Sequence, residues 1–118
     1  LSNFGELDGV RLLGRKTVEY MTINHLPGDL ADLGQDTFAE TSFEGIGFGL
    51  GFSVMLDPAK ANVRGTPGEY AWGVAASTAF WIDPVEDMTV IFLTQLMPSS
   101  AYPLRRELKV LTYQALID

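Results

Sequence analysis

Glycines alternate with bulky apolar residues between Gly45 and Leu56, and this pattern constrains the fold more than any other in the chain. The glycines stand at positions 45, 47, 49 and 51, and the residues between and after them are Ile46, Phe48, Leu50 and Phe52. A period of two predicts a β-strand with one bulky and one bare face. The bare face admits another backbone or a helix at close range. A phosphate-binding glycine loop is the alternative, but the spacing is G-x-G-x-G and no helix follows.

Three more strands are expected at 69–74, 77–83 and 88–94, and the short connection at 83–87 makes the last two an antiparallel hairpin. A helix at 15–22 precedes the sheet, and Asn24 to Gly28 end it with strong breakers. Residues 1–9 read as the frayed end of something that begins upstream. Residues 28–44 read as a long surface loop with a helical turn near 30–33, and residues 57–68 as a turn-rich connection.

The last segment of the chain predicts a C-terminal helix. Ser99 or Ser100 is expected to cap it, and Pro103 suits its first turn. The helix carries an apolar stripe, which we expect to lie on the sheet. Its members are Leu104, Leu108, Leu111 and Ala115, widened by Val110 and Leu116. The fold class is therefore α+β, an antiparallel sheet of about three to four strands with N-terminal and C-terminal helices packed on it.

Composition narrows the range of partners. The chain has 118 residues, of which 47% are hydrophobic, with eight basic and fifteen acidic residues and a net charge of −7. A small apolar-rich domain often covers surface with a partner, although an ordinary well-packed domain has the same composition. The negative charge disfavours nucleic acid. No apolar run approaches the ~20 residues of a membrane span, so no membrane partner is expected. The absence of cysteine excludes disulfides and thiolate metal sites and leaves the compartment undecided.

No complete catalytic group is recognisable. None of the serines lies in G-x-S-x-G or S-x-x-K. Lys16-Thr17-Val18 is similar to a Lys-Thr-Gly motif but lacks the glycine and lies on the predicted helix. His25, the single histidine, is expected to satisfy a carbonyl at the helix end rather than to act in catalysis.

Acidic residues give no metal site either. Glu86 and Asp87 lie in a predicted hairpin turn and are expected to be solvated. Asp29, Asp32 and Asp36 do not follow the D-x-D-x-D-G spacing of a calcium loop. No catalytic residue, metal or cofactor is therefore assigned from the residues alone.

Three stretches resemble, in the same order, the β-lactamase-related serine hydrolases, which include class C β-lactamases, penicillin-binding-protein-like carboxypeptidases and family VIII-type esterases. GELDGVRLL at 5–13 with RKTVEYM at 15–21 resembles the segment after the family's second motif. GFGLGF at 47–52 resembles the strand before its third motif. EYAWGVAASTAFWIDP at 69–84 with MTVIFLTQ at 88–95 resembles the end of the domain. The resemblance implies that residues 1–118 are a single partial domain, the C-terminal part of a β-lactamase/transpeptidase-like fold.

The resemblance also implies which parts of the active site this chain holds. The family's nucleophilic serine in S-x-x-K and its Y-x-N-like tyrosine lie upstream of the matched region, and neither motif occurs here. The third motif, Lys-Thr-Gly, His-x-Gly or Trp-Gly-Gly, matches Trp72-Gly73-Val74. By position, the N–H of Ala75 would complete the oxyanion hole. Tyr70 is a candidate for the substrate wall. Trp72 is either another wall residue or a half-buried strand aromatic.

Val74 departs from the family pattern, because glycine stands at this position in the family. A β-branched side chain would crowd the space that glycine leaves for the substrate. Even the retained part of the active site is therefore expected to be compromised.

Three functions follow as hypotheses. The first is a serine-hydrolase fragment for ester, lactam or peptide acyl hydrolysis that is inactive alone and is completed by an N-terminal half. The second is a non-catalytic binding or assembly module that forms a homodimer through an open sheet edge and apolar face. The third, without a specific signal, is a small-molecule carrier that uses aromatic residues. These are Phe48, Phe52, Trp72, Phe80 and Trp81.

Overall fold

The computed structural model describes residues 1–35, 37–38 and 41–117 and places five strands in one antiparallel sheet, beside two separate two-stranded hairpins. In chain order the elements are β1 Glu6–Leu7, β2 Val10–Arg11, α1 Arg15–Met21, a 3₁₀ turn Ala31–Leu33, β3 Thr37–Phe38, β4 Thr41–Ser42, β5 Ile46–Phe48, β6 Ser53–Met55, α2 Pro58–Ala61, β7 Tyr70–Gly73, β8 Ala79–Asp83, β9 Met88–Phe92 and α3 Leu104–Gln114. The sheet runs β5-β6-β7-β8-β9, so neighbours in sequence are neighbours in space. The α+β class with an antiparallel sheet is confirmed.

The sheet has one strand more than expected because the glycine-rich stretch forms a hairpin. β5 and β6 pair with Ile46 opposite Met55 and Gly47 opposite Val54. The chain reverses at 49–52, where Gly51 has a φ of +109° that a side chain would strain. Period-two alternation continues through this turn, so the prediction of a single strand was wrong.

The bare glycine face admits another segment, as expected. A Cβ on Gly47 would lie 2.4 Å from side-chain atoms of Asn24, and one on Gly49 would lie 2.2 Å from the Met21 carbonyl oxygen. Neither contact is compatible with a side chain, so glycine is required where the segment after α1 crosses the hairpin.

The same segment closes the β5 edge of the sheet. The N–H of His25 donates to the Phe48 carbonyl at 2.9 Å, and the Phe48 N–H donates to Oδ1 of Asn24 at 3.0 Å. The Leu50 N–H also donates to the Met21 carbonyl at 2.8 Å. α1 is thus tied to the sheet at an edge. Nε2 of His25 lies 2.7 Å from the Tyr20 carbonyl oxygen, which confirms its predicted role at the helix end.

The outer edge of β9 has no strand beside it among the described residues, and apolar side chains are exposed there and just beyond its end. Ile91 is 66% exposed and Leu93 is 78% exposed. The chain therefore covers the β5 edge of the sheet with its own segment and leaves the β9 edge open among the described residues.

α3 meets the sheet through a polar face, which contradicts the predicted apolar stripe. Arg105, Lys109 and Tyr113, spaced four residues apart, bond to the sheet and its loops. The stripe lies about 130° further round the helix, and Leu111 on it is 61% exposed. The physical reason is that buried carboxylates lie on this face of the sheet and need charged or hydroxyl partners.

Apolar packing is divided between the two faces of the sheet. One cluster joins Ile46, Met55 and Ala61, and the other joins Val54, Tyr70 and Ile82. Val54 and Met55 are consecutive in β6 and therefore point to opposite faces. Neither cluster is large, and the buried polar groups between α3 and the sheet contribute much of the interior.

Several short elements lay outside the sequence predictions. Residues 1–9 contain β1 and the turn to β2, which reverses through Asp8 and Gly9 with positive φ, and an Asp-Gly pair is a strong signal for such a turn. α2 begins after Asp57, whose carboxylate accepts from two helix N–H groups. α3 has Pro103 at its N-cap and no side-chain cap, so the prediction of a serine cap was wrong. No helix in the described ranges is long and apolar enough to cross a bilayer.

Candidate substrate strand and oxyanion turn

β7, the central strand of the sheet, carries the residues matched to the third motif. Trp72 is 41% exposed and Val74, just beyond the strand, is 49% exposed. Residues two apart point to the same face, so both side chains border one open surface. The Phe48 ring packs edge-on against Trp72 with centroids 5.5 Å apart. Val74 therefore projects into the space beside Trp72, where a glycine would leave room.

Tyr70 lies on the same face but is only 3% exposed. Its ring is 5.4 Å from that of Phe52, and it packs with Val54 and Ile82. Burial raises the pKa of its phenol. Since its surface is covered by these neighbours, the exposed aromatic at this part of the sheet is Trp72.

A tight turn follows β7 and presents a backbone donor. The Val74 N–H donates to the Thr78 carbonyl at 3.1 Å, and the Ser77 N–H donates to the Val74 carbonyl at 3.1 Å. Between them, the Ala75 and Ala76 N–H groups have no hydrogen-bond acceptor among the residues described. Ser77 has a φ of +66° and is held by its hydroxyl, which donates to the Leu96 carbonyl at 2.7 Å. An unpaired N–H on a fixed turn is the type of donor that stabilises a developing oxyanion.

Arg105 of α3 holds this turn from the other side of the sheet. Its Nη2 lies 2.6 Å from the Val74 carbonyl oxygen and 3.3 Å from that of Thr78. The guanidinium also lies against Gly73, where an added Cβ would be 3.1 Å from Nε. Glycine at 73 therefore lets the arginine approach the strand on the face opposite Trp72.

A buried polar cluster lies at the other end of β7. Glu69 is 2% exposed, and its carboxylate accepts hydrogen bonds from Lys109 and Tyr113. The same Tyr113 hydroxyl lies 2.7 Å from Oδ2 of Asp83, which is fully buried, so its single proton is shared between two carboxylates. Oδ1 of Asp83 accepts from the Val85 N–H at 3.0 Å and caps the β8–β9 turn. We call Glu69, Asp83, Lys109 and Tyr113 the carboxylate cluster.

Burial determines the acid–base properties of the carboxylate cluster. It lowers the pKa of Lys109 to about 8, and burial followed by the hydrogen bond and charge of Asp83 raises the pKa of Tyr113. No side chain of the carboxylate cluster forms a hydrogen bond with Ala75 in the described part of the chain. Its groups bond to one another, which is typical of a structural network. Sequence reasoning missed it because nothing local distinguishes a buried glutamate from an exposed one.

A cavity of about 140 Å³ lies between α3 and the sheet. Its walls include Ile46, Met55, Trp81 and Lys109. Of the five aromatics named for a carrier, Trp72, Phe80 and Trp81 line it, whereas Phe52 packs against Tyr70 and Phe80 instead. The aromatics therefore do not surround one ligand space.

The remaining chemical candidates lie where the sequence placed them. Lys16 is on α1 and pairs with Glu19 at 2.6 Å. Glu86 and Asp87 are exposed in the β8–β9 turn. Within the described residues no three His, Cys, Asp or Glu side chains gather as a metal site, and Asp36 lies outside those residues.

Comparisons with known proteins place this geometry in a longer fold. No protein-family model matches the chain. Two Mycobacterium tuberculosis proteins, "Uncharacterized protein MT1414" of strain CDC 1551 / Oshkosh and "Protein Rv1367c" of strain ATCC 25618 / H37Rv, are each 34% identical to it over 98 residues, 80% of this chain and 24% of theirs. The chain thus spans about a quarter of these relatives.

Solved structures share the fold, and EstCE1 is an example. EstCE1, "a hydrolase with promiscuous acyltransferase activity", matches 92% of this chain and 25% of its own, with a TM-score of 0.68 and 21% identity. Five antiparallel strands and the helices around them therefore have the arrangement of one quarter of a known hydrolase.

Proposed function

We propose that this chain is the C-terminal part of a β-lactamase/esterase-like serine hydrolase domain and lacks the catalytic nucleophile. The main support is the structural match to EstCE1, which covers 92% of this chain but only 25% of EstCE1. Nearly all of the chain is thus accounted for by a minor part of a hydrolase. The ordered resemblance at 5–21, 47–52 and 69–95 indicates the C-terminal part of such a domain.

In this proposal β7 is the substrate strand. Its backbone would pair with the acyl substrate, Trp72 would border the substrate, and the Ala75 N–H would donate to the oxyanion. The nucleophile and its base would come from a segment that precedes the matched region. Val74 would narrow the site on the face that it shares with Trp72.

Two open surfaces support the proposal that a further segment packs against this chain. The outer edge of β9 is unpaired in the described part of the chain, and the apolar stripe of α3 is only partly covered, with Leu111 61% and Leu116 40% exposed. An edge strand and an exposed apolar stripe are the surfaces that a further strand and helix would cover.

The test begins with the coding sequence upstream of this chain. We expect an S-x-x-K motif about 150 or more residues earlier, a distance set by ordinary domain size. The complete reading frame and the 118-residue chain are then assayed with an activated ester and a chromogenic lactam. Turnover by the long form that requires the S-x-x-K serine supports the proposal. Turnover by the short chain that a serine-directed inhibitor abolishes contradicts it.

The second candidate function is a non-catalytic assembly module, which the bare β9 edge favours. Two copies could pair through β9 and extend the sheet. Ile91→Lys would place a charge on this edge and is expected to dissociate such a dimer, whereas Glu86→Lys in the adjacent turn serves as the control. Light scattering that shows a monomer of the parent chain at micromolar concentration would exclude this function.

A further inference from the structure

We infer that Arg105 is a positioning residue that fixes the 74–78 turn so that the Ala75 N–H stays free to bind an oxyanion. The inference rests on the proposed function for its chemical meaning. The contacts themselves are independent of it. They join α3 to a turn about 30 positions earlier in the chain.

The 74–78 turn is held by hydrogen bonds from its own backbone and from Arg105. Val74 contributes both its N–H and its carbonyl to hydrogen bonds within the turn. Arg105 adds a charged donor to that carbonyl at 2.6 Å and reaches the Thr78 carbonyl at 3.3 Å. One guanidinium thus bridges the two carbonyls at the start and end of the turn, and charge-assisted bonds of this kind are stronger than neutral ones.

The Arg105 contacts also determine to which side the carbonyl groups of the turn point. Arg105 binds the Val74 and Thr78 carbonyl oxygens, so these acceptors point towards α3. The Ala75 N–H lies between these two carbonyls in sequence and takes no acceptor among the described residues. A turn whose carbonyls are bound on one side leaves its other N–H groups, that of Ala75 among them, available to a ligand on the other side, which an anion-binding turn requires.

The strand also makes room for the arginine. At Gly73 an added Cβ would lie 3.1 Å from Nε and 3.2 Å from Nη2 of Arg105. A larger side chain at 73 would therefore displace the guanidinium from the strand side. Arg105 and Gly73 act as a pair, and changing either should loosen the same turn.

The experiment measures amide hydrogen exchange of the 118-residue chain by NMR. In the parent chain, the Val74 and Ser77 amides should be protected and the Ala75 amide should exchange freely. Arg105→Met retains an apolar stem but no donors, and we expect the Val74 and Ser77 amides to exchange about 10-fold faster or more, as for local opening. Arg106→Met on the same helix is the matched control and should change neither amide. Gly73→Val should reproduce the effect of Arg105→Met.

Further readouts separate positioning from general stability. Amides of the β8–β9 ladder, such as Trp81 and Val90, should keep their exchange rates in Arg105→Met. Arg105→Lys, which retains one charged donor group, should restore part of the protection. In the complete hydrolase, Arg105→Met should lower kcat by about 10²-fold or more with little change in KM, the effect expected for an oxyanion donor.

Each result bears on the inference. Unchanged Val74 and Ser77 amides in Arg105→Met would overturn it, and so would a protected Ala75 amide in the parent chain. Equal acceleration of the whole sheet would also overturn it, because the arginine would then serve only stability. Absence of turnover by the complete reading frame would remove the proposed function while leaving the exchange result standing, so the two failures are distinguishable.

Discussion

The two ends of β7 differ in how far their polar groups are satisfied. At the Glu69 end, the carboxylate is 2% exposed and accepts from Lys109 and Tyr113. At the Ala75 end, the backbone N–H has no acceptor among the described residues, and Val74 beside it is 49% exposed. α3 holds both ends, through different side chains. The difference is that the polar groups at one end bond to one another, whereas at the other end a backbone donor is left without a partner among the described residues, as the proposed oxyanion role requires.

Glu69→Ala should give the largest effect, because it leaves Lys109 as an unpaired charge whose side chain is 15% exposed. Removing one partner of a buried ion pair costs about 3–5 kcal/mol. We expect the free energy of unfolding to fall by about that amount, measured by urea denaturation with tryptophan fluorescence. Glu86→Ala in the exposed turn is the control and should change stability by less than about 0.5 kcal/mol. A loss below about 1 kcal/mol for Glu69→Ala would show that the two ends do not differ in this way.

Tyr113→Phe should have a smaller effect, because both carboxylates keep other partners. The loss of one phenol donor to buried acceptors predicts a decrease of about 1–3 kcal/mol in the free energy of unfolding at neutral pH. Thr112→Val, which removes a hydroxyl that donates to the Leu108 carbonyl on the same helix, is a control outside the carboxylate cluster.

The pH dependence sharpens this prediction. Burial and the neighbouring Asp83 raise the pKa of Tyr113, so the native state keeps the phenol protonated above the pH at which the unfolded chain releases it. An unfolded tyrosine ionises near pH ~10, so stability from this group is present below that pH and is lost as pH rises further. Tyr113→Phe should make the slope of the unfolding free energy against pH more positive between about pH 9 and about pH 11. Two other buried groups contribute in this window in both proteins: the raised pKa of Tyr70 adds to the decline, and the pKa of Lys109, lowered to about 8, opposes it because the unfolded chain binds more protons there. An unchanged slope would contradict the role of the phenol.

The sequence located β7, β8 and β9 because their apolar runs are bounded by turn residues, and a tight turn is specified by residues that are adjacent in the chain. The same reasoning failed at the β5–β6 hairpin, because glycine alternates with bulky residues through the turn itself and the period of two does not reveal where the chain reverses. The match of Trp72, Gly73 and Val74 to the third motif, and the donor role of the Ala75 N–H just after it, came from the resemblance. The exposure of Trp72 and Val74 and the absence of an acceptor for the Ala75 N–H among the described residues came only from the structure.

α3 shows why the site could not be completed from the sequence. Its apolar stripe predicts a core-facing side, yet Arg105, Lys109 and Tyr113 face the sheet because Glu69 and Asp83 are buried there. Whether a carboxylate is buried depends on contacts 30 to 44 positions away along the chain. A local pattern carries no information about such distances, so both the carboxylate cluster and the contacts of Arg105 with the 74–78 turn were missed.

Val74→Gly should have the smallest effect on stability and the most informative effect on function. The side chain is 49% exposed and lies just after β7, so its loss should cost only about 0.5–1 kcal/mol, the entropic penalty of glycine. Val85→Gly in the β8–β9 turn, where the valine is 70% exposed, is the matched control. If the complete reading frame is the hydrolase proposed above, Val74→Gly in it should raise kcat/KM for bulky acyl substrates more than for acetyl esters, because the substitution opens the face shared with Trp72. Equal rates for small and bulky substrates would show that Val74 does not border the substrate, and the open end of β7 would then present only its backbone donor.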